Sequence, residues 1–174
     1  VSPAAMVQAM PEVQENTPNY LARAAMAKMT PAQKVGQLFI VTFKGSSVGE
    51  GSQVYQLIQE YHIGGVILSA ENDNFTGAET TIADVVILNQ QLQQTAWNSS
   101  EMTLNDPVTK ATYKPVYIPL FIGISQEGDG YPYDQILNGL TSLPDEMAIG
   151  ATWKSDFARA TGNVVTLLAA VDDV

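Results

Sequence analysis

The sequence predicts an α/β fold in which helices cover a parallel sheet. Three apolar segments of strand length, 38–43, 64–68 and 116–124, alternate with stretches whose apolar residues recur at helical spacing. Strands of a parallel sheet read as nearly continuous apolar runs, and a crossover helix joins each one to the next. Because such crossovers are right-handed, two architectures remain, a doubly wound sheet and a barrel.

Helix-start residues and apolar spacing predict four helices before the third strand. The first covers about Tyr20 to Met29, and the second begins at Thr30, which acts as N-cap before Pro31, with Gln33 three residues after the cap. The third helix is predicted by the helical spacing of Val54, Leu57, Ile58 and Tyr61. The fourth follows the capping box Thr76-Gly77-Ala78-Glu79 and has apolar spacing at Ile82, Val85, Val86, Asn89 and Leu92.

The flanking segments complete the predicted organisation. Residues 1–17 are rich in Ala, Pro, Gln and Glu, which is typical of a flexible tail or linker, and 18–174 form the predicted domain. We expect a polar loop over about 98–114, a helix from Ser155 to about Ala169, and the start of a fourth strand at Val171.

Composition disfavours several classes of partner and chemistry. The chain carries 18 acidic against 8 basic residues, a net charge of −10, and has no Lys/Arg cluster to neutralise phosphates, so we expect neither nucleic acid nor an anionic membrane surface as partner. No apolar run approaches the roughly 18 residues of a membrane span. The absence of cysteine excludes disulfides, thiolate metal sites and cysteine nucleophiles. Neither a Gly-x-Gly-x-x-Gly turn nor a Walker loop follows a strand, which disfavours nucleotide binding.

Four segments, in this order and spacing, resemble the N-terminal barrel domain of glycoside hydrolase family 3. They read MTPAQKVGQLF (29–39), YHIGGVIL (61–68), IPLFIGISQEG (118–128) and LPDEMAIGAT (143–152), and the resemblance covers roughly residues 28–162. It implies the N-terminal part of a (β/α)8 TIM barrel, incomplete within this chain. It also implies a carbohydrate substrate, no cofactor, and a protein that is secreted or lies in the cell envelope.

The resemblance places sugar contacts after the third strand and in the fourth. Ser125 stands where the family usually has an Asp that binds sugar hydroxyls. A Ser hydroxyl can still donate and accept hydrogen bonds, although the Ser side chain is shorter than that of Asp and uncharged. Glu127 belongs to the same signature and is expected to order the loop, whereas Asp129 replaces a loop glycine. Asp173 fits the family's fourth strand slightly better than Asp172 does. The predicted substrate-binding residues are Ser125, Glu127, Asp129 and Asp173, with no catalytic and no metal-binding residue.

Other candidate residues favour structural roles. His62 is the only histidine, precedes a Gly-Gly turn, and is expected to cap or pack. No Gly-x-Ser-x-Gly elbow accompanies it, which disfavours serine hydrolase chemistry, and no His/Asp/Glu cluster has metal-ligand spacing. Asp134 is a further carboxylate near the third-strand loop. The aromatic residues Tyr131 and Tyr133 fit either a stacking platform for sugar or ordinary packing in the loop, and packing is the favoured interpretation.

The predicted barrel cannot be closed by three or four strands, because a TIM barrel takes about 250 residues and at least about 200. An open half-barrel exposes a parallel edge and the apolar inner face of its strands. We expect one of three explanations: a longer or cleaved protein whose remainder stays associated, a chain recorded only in part, or a fragment that assembles with copies of itself.

Two functions remain open at this stage. In the first, the chain is the N-terminal portion of a β-glycosidase acting on β-glucosides or β-N-acetylhexosaminides. It then supplies sugar contacts, the nucleophile lies outside this chain, and the chain alone is inactive. In the second, it is a non-catalytic family relative, a carbohydrate-binding or structural assembly subunit. Ser125 in place of Asp and Asp129 in place of Gly favour the second.

Overall fold

The computed structural model describes residues 18–75, 80–106, 109–131 and 134–170. The predicted tail 1–17, the capping box 76–79, Tyr133 and the start of a fourth strand with Asp173 lie outside the described residues. None of the described helices has the length and apolarity needed to cross a membrane.

The described chain contains six α-helices and five strands. The helices are α1 (Pro18–Lys28), α2 (Pro31–Gly36), α3 (Gln53–Gln59), α4 (Thr81–Glu101), α5 (Glu146–Ala151) and α6 (Ser155–Ala170), and a short 3-10 helix covers Ala70–Asn72. The strands are β1 (Ile40–Val41), β2 (Gly65–Leu68), β3 (Leu104–Asn105), β4 (Thr112–Tyr113) and β5 (Phe121–Ile124).

The three apolar strands β1, β2 and β5 form one parallel sheet in that order. Gly65 of β2 pairs with Ile40 of β1 on one side and with Phe121 of β5 on the other, and Val66 pairs with Ile122. Helices α3 and α4 provide the crossovers, which confirms the predicted α/β fold.

The core lies on only one face of this sheet. Val66 and Leu68 of β2 pack against buried residues of the two crossover helices, which are Val54 and Ile58 in α3 and Val85, Leu88, Leu92 and Ala96 in α4. Side chains that point to the opposite face stay exposed, namely Ile40 (51%), Ile67 (43%) and Phe121 (66%). A doubly wound sheet carries helices on both faces, whereas the inner face of a barrel is covered by other strands. The one-sided sheet is therefore a barrel-like fragment, and no barrel closes within the described residues.

The first strand is shorter than the predicted 38–43. Turn bonds at the end of α2 continue through Phe39, whose N–H donates to Gly36 O at 3.0 Å. Only Ile40 and Val41 then pair, and they pair with β2 alone. The predicted segment was too long because the turn that follows helix α2 extends to Phe39.

The third strand is also shorter than predicted, and two glutamines explain why. Pro115 and Pro119 lack the N–H of a regular strand. The side-chain amide of Gln93 instead donates to Leu120 O at 2.9 Å and accepts from Leu120 N–H at 3.1 Å. Gln33 makes the same pair of contacts with Val116, both at 3.4 Å. Side-chain amides thus satisfy part of the backbone of 116–120, at Val116 and at Leu120, in place of a neighbouring strand.

The predicted polar loop over 98–114 is wrong. Helix α4 continues to Glu101 because its buried stripe extends through Ala96 and Ser99. Strands β3 and β4 then pair antiparallel, with Leu104 opposite Tyr113. The Asp106 carboxylate closes the connection by accepting from Thr109 N–H at 2.8 Å.

His62 is a packed residue, as its position before two glycines predicted. It is buried, has a φ of 52°, and its Nε2 lies 3.1 Å from the Tyr113 hydroxyl. Burial lowers the pKa of His62 below its usual value, so the neutral ring is favoured. The Gln37 amide donates to His62 O at 3.0 Å and so fixes the turn that leads from His62 into β2.

Candidate functional site

The carboxyl ends of β1, β2 and β5 lie at the same edge of the sheet because the strands are parallel. The loops that leave this edge begin at residues 42, 69 and 125. In barrels of parallel strands, substrate-binding and catalytic residues lie at this end. The candidate site is therefore built by these three loops.

Asn74 joins the first two loops. Its side chain is almost fully buried, donates to Phe43 O at 3.1 Å and Gly45 O at 2.8 Å, and accepts from Ser69 N–H at 2.9 Å. The backbone adds a bond from Gly45 N–H to Asn72 O at 2.7 Å. One amide therefore fixes the loops after β1 and β2 relative to each other.

The carboxylate of Asp134 organises the loop after β5. It is buried, and it accepts backbone hydrogen bonds from Glu127 at 2.6 Å, Gly128 at 2.8 Å and Gly130 at 2.8 Å. Both glycines have positive φ, 98° and 99°, which allows successive N–H groups to converge on one anion. Charge-assisted hydrogen bonds of this kind are about twice as strong as neutral ones.

Two glutamines connect the same loop to its surroundings. The amide of Gln126 donates to Ile136 O at 3.1 Å and accepts from Ile136 N–H at 3.0 Å. Gln135 donates from its backbone to Ser125 O at 3.1 Å, and its side chain accepts from Ala70 N–H at 3.0 Å. Residues 125 and 126 are thus tied to residues 135 and 136, and Gln135 is tied to the loop after β2.

Three of the four predicted binding residues come together on this loop. Ser125, Glu127 and Asp129 are all exposed at the carboxyl end of β5, and Asp173 lies outside the described residues. Partial desolvation, followed by the carboxylates of Glu146, Asp129 and Asp134, raises the pKa of Glu127. Because the Glu127 side chain remains exposed, solvent screens this repulsion. Glu127 was expected to order the loop, and its backbone N–H contributes by donating to the Asp134 carboxylate, which accepts the bonds of this turn.

Among the described residues, the aromatic side chains near β5 do not form a cluster at this loop. Tyr113 contacts His62, and Tyr117 packs against Trp97, both before β5 begins. Tyr131 and Trp153 are almost fully exposed, so Tyr131 does not pack within the loop. Within the described ranges, no group of three or more His, Cys, Asp or Glu residues could hold a metal ion.

Sequence reasoning missed the roles of Asp134 and Asn74. Asp134 follows two glycines at a spacing of four and six residues, and a carboxylate placed shortly after Gly-x-Gly is the signal that could have indicated an organised turn. Asn74 carries no comparable signal, because its partners at Phe43 and Gly45 are distant in sequence.

Comparison with protein families decides which family this architecture represents. Residues 30–173 match the family model described as the glycosyl hydrolase family 3 N terminal domain. The chain belongs to glycoside hydrolase family 3. The match covers the strands, the crossover helices and the loop that carries Ser125.

A solved structure of the same family resembles this one. It is a glycoside hydrolase family 3 β-N-acetylglucosaminidase from Paenibacillus sp. str. FPU-7, with a TM-score of 0.58 and 29% sequence identity. The match covers 79% of this family 3 chain and 21% of the Paenibacillus protein, so the chain spans about a fifth of the length of that relative. A search of curated proteins finds no match.

Proposed function

We propose that this chain forms the N-terminal part of the sugar-binding pocket of a β-glycosidase that hydrolyses β-N-acetylhexosaminides or β-glucosides. Ser125, Glu127 and Asp129 bind sugar hydroxyls, and Asp173 contributes from the next strand. The observation that carries the proposal is the loop after β5, which the Asp134 carboxylate holds so that Ser125 is exposed at the carboxyl end of the sheet.

The chemistry of these side chains suits binding. A serine hydroxyl donates and accepts, and the carboxylates accept from sugar hydroxyls. Because the loop is already closed by internal hydrogen bonds, substrate does not have to order it, which lowers the entropic cost of binding.

The same residues are poorly suited to the bond-breaking step. Retaining hydrolysis needs two carboxyl groups about 5–5.5 Å apart, one as nucleophile and one as acid/base. Asp134 is committed to three backbone N–H groups, and Glu127 and Asp129 are exposed. We therefore assign both catalytic carboxyl groups to residues outside this sequence.

The relative from Paenibacillus supports an N-acetylhexosaminide as the first substrate to test, because it is described as a β-N-acetylglucosaminidase and is 29% identical to this chain. The same proposal places the protein outside the cell or in the cell envelope, where polymeric glycans occur.

A second candidate function is a non-catalytic carbohydrate-binding or assembly subunit. Ser125 favours it, since the resemblance places an Asp at this position in most members of the family. A hydroxyl makes weaker hydrogen bonds to sugar than a carboxylate does.

The two functions are distinguished by an activity assay of the complete polypeptide that contains this sequence. The substrates are a chromogenic N-acetyl-β-glucosaminide and a chromogenic β-glucoside. The proposal expects release of chromophore from at least one substrate. A wild-type protein that hydrolyses neither, together with a Ser125→Asp variant that gains activity, would support the non-catalytic relative instead.

A further inference from the structure

Gln135 bridges two chain segments at the point where the sheet ends. Leu68 and Ile124 are the last residues of β2 and β5, and they pair with each other. Beyond them, the backbone N–H of Gln135 donates to Ser125 O at 3.1 Å, and the Gln135 side-chain oxygen accepts from Ala70 N–H at 3.0 Å. One residue thus supplies a donor to the chain that leaves β5 and an acceptor to the chain that leaves β2.

Both attachment points of this bridge are fixed from the protein interior. Ala70 follows Ser69, whose backbone N–H donates to the side chain of the buried Asn74 at 2.9 Å. Gln135 follows Asp134, whose buried carboxylate accepts the three backbone bonds of the turn after β5. Because each neighbour is anchored, a change in the Gln135 side chain should alter the separation of the two loops instead of being absorbed by either loop.

The bridge lies between two strands that are already neighbours. Strand β2 is the middle strand of the sheet and pairs with β1 on one side and with β5 on the other. Strands that complete a barrel pair with the free edges of β1 and β5, so they leave the junction of β2 and β5 as it is. The contacts of Gln135 therefore belong to the interior of the site and not to an open edge.

We propose that Gln135 is a positioning residue for substrate binding and acts through Ser125. Its side-chain oxygen holds the loop after β5 at a fixed separation from the loop after β2. Ser125 is exposed at the start of the loop after β5, so this separation determines where its hydroxyl meets the sugar. Contacts that are held in place before substrate arrives lower the cost of binding. The inference rests on the proposed function, because that function assigns Ser125 to a sugar hydroxyl.

Two substitutions separate the hydrogen bond of Gln135 from the size of its side chain. The bond to Ala70 uses the side-chain oxygen as acceptor. Gln135→Glu retains an oxygen at this position, whereas Gln135→Met has a similar length and offers only a weakly accepting sulfur. High ionic strength screens the charge that Gln135→Glu adds next to Asp134.

Steady-state hydrolysis of the chromogenic substrates by the complete polypeptide tests the positioning role. We expect Gln135→Met to raise KM about three- to fivefold and to leave kcat within about twofold of wild type, because binding is lost equally in the ground state and the transition state. Gln135→Glu, assayed at high ionic strength, should restore a KM close to that of wild type. Gln91→Met, at an exposed glutamine of α4, should leave KM and kcat unchanged.

A double-mutant cycle distinguishes positioning of Ser125 from a general loss of structure. If Gln135 acts through Ser125, Gln135→Met should have no further effect on KM in a Ser125→Ala background. A merely structural loss would multiply the effects of the two substitutions. The proposal is overturned by a KM that Gln135→Met leaves unchanged, by a KM that Gln135→Glu fails to restore, or by effects that multiply in the double variant.

Amide hydrogen exchange of the same proteins separates failure of this inference from failure of the proposed function. Exchange followed by mass spectrometry should be faster over 69–75 and 125–131 in Gln135→Met than in wild type and Gln135→Glu. If the wild type hydrolyses neither substrate but this pattern holds, the glycosidase is contradicted while the positioning of Ser125 by Gln135 is supported. Exchange that Gln135→Met leaves unchanged overturns the inference whether or not the wild type is active.

Discussion

The buried carboxylate of Asp134 accepts a hydrogen bond of 2.6 Å from the backbone N–H of Glu127, two residues beyond Ser125. Through this bond and two more, a buried side chain determines where the exposed residues of the loop lie. The geometry of the candidate site therefore depends on a residue that is not expected to touch sugar.

Asp134→Asn should destabilise the protein by about 2–3 kcal/mol, because an amide cannot accept all three N–H bonds and presents its own NH₂ to at least one of them. Urea denaturation of the variant and wild type measures the free energy of unfolding. The exposed Asp129→Asn serves as control and should stay within about 0.5 kcal/mol of wild type. Equal effects of both substitutions would contradict the organising role of Asp134.

Glu127→Gln should stabilise the protein near neutral pH and have no effect at about pH 4. Desolvation and the neighbouring carboxylates raise the pKa of Glu127 above 4.5, so the folded state holds the proton more tightly than the unfolded state. Stability contributed by such a group is present at low pH and is lost as the pH rises through the folded pKa.

The thermal midpoint of both proteins, followed from pH 4 to pH 7, checks this prediction. The gain should shrink in high salt, which screens exposed charges. Glu50→Gln, an exposed carboxylate outside this group, should show no such pH-dependent gain. A gain from Glu127→Gln that is the same at pH 4 and pH 7 is the contradicting outcome.

Asn74→Asp should cost about 3 kcal/mol or more of stability. The new carboxylate would lie against the carbonyl oxygens of Phe43 and Gly45, to which the amide now donates, and it would be buried. Chemical denaturation compares this variant with Asn98→Asp, where an exposed Asn only accepts a hydrogen bond from Gln94. The control should lose less than about 1 kcal/mol, and a loss as large at Asn98 as at Asn74 would refute the assignment.

Gly65→Ala should destabilise the sheet by about 1–3 kcal/mol, because a Cβ atom there would collide with the backbone oxygen of Phe121 in the neighbouring strand. Gly123 is the matched control, since an added Cβ would meet Ile67 Cγ1 at an ordinary 3.8 Å. Thermal unfolding should show a lower midpoint for Gly65→Ala only. Similar midpoints for the two variants would contradict the close packing of β2 against β5.

The sequence was informative about elements whose signals are local. The Thr30 side chain caps α2 by accepting from Gln33 N–H at 3.2 Å, as the residues Thr30 and Pro31 predicted. Helix α6 begins at Ser155 as predicted. The apolar run of β2 also became a strand, because its backbone pairs on both sides.

Features that depend on distant partners were not predictable in the same way. The segment 116–120 has the composition of a strand, but the amides of Gln33 and Gln93 satisfy part of its backbone from separate helices. On the candidate loop, family resemblance located Ser125, whereas the tertiary contacts alone identified Asp134 as the organising carboxylate. Hydrophobic pattern describes burial, and it contains no information about which side chain meets which backbone group.

Steady-state hydrolysis of a chromogenic N-acetyl-β-glucosaminide by the complete polypeptide and its Ser125→Ala variant tests the central claim most directly. If Ser125 binds sugar, loss of its hydroxyl should raise KM about five- to tenfold, while Ser142→Ala, at an exposed serine outside the loop, should leave KM unchanged. An identical kcat/KM for wild type and Ser125→Ala would contradict the assignment of this loop to the substrate.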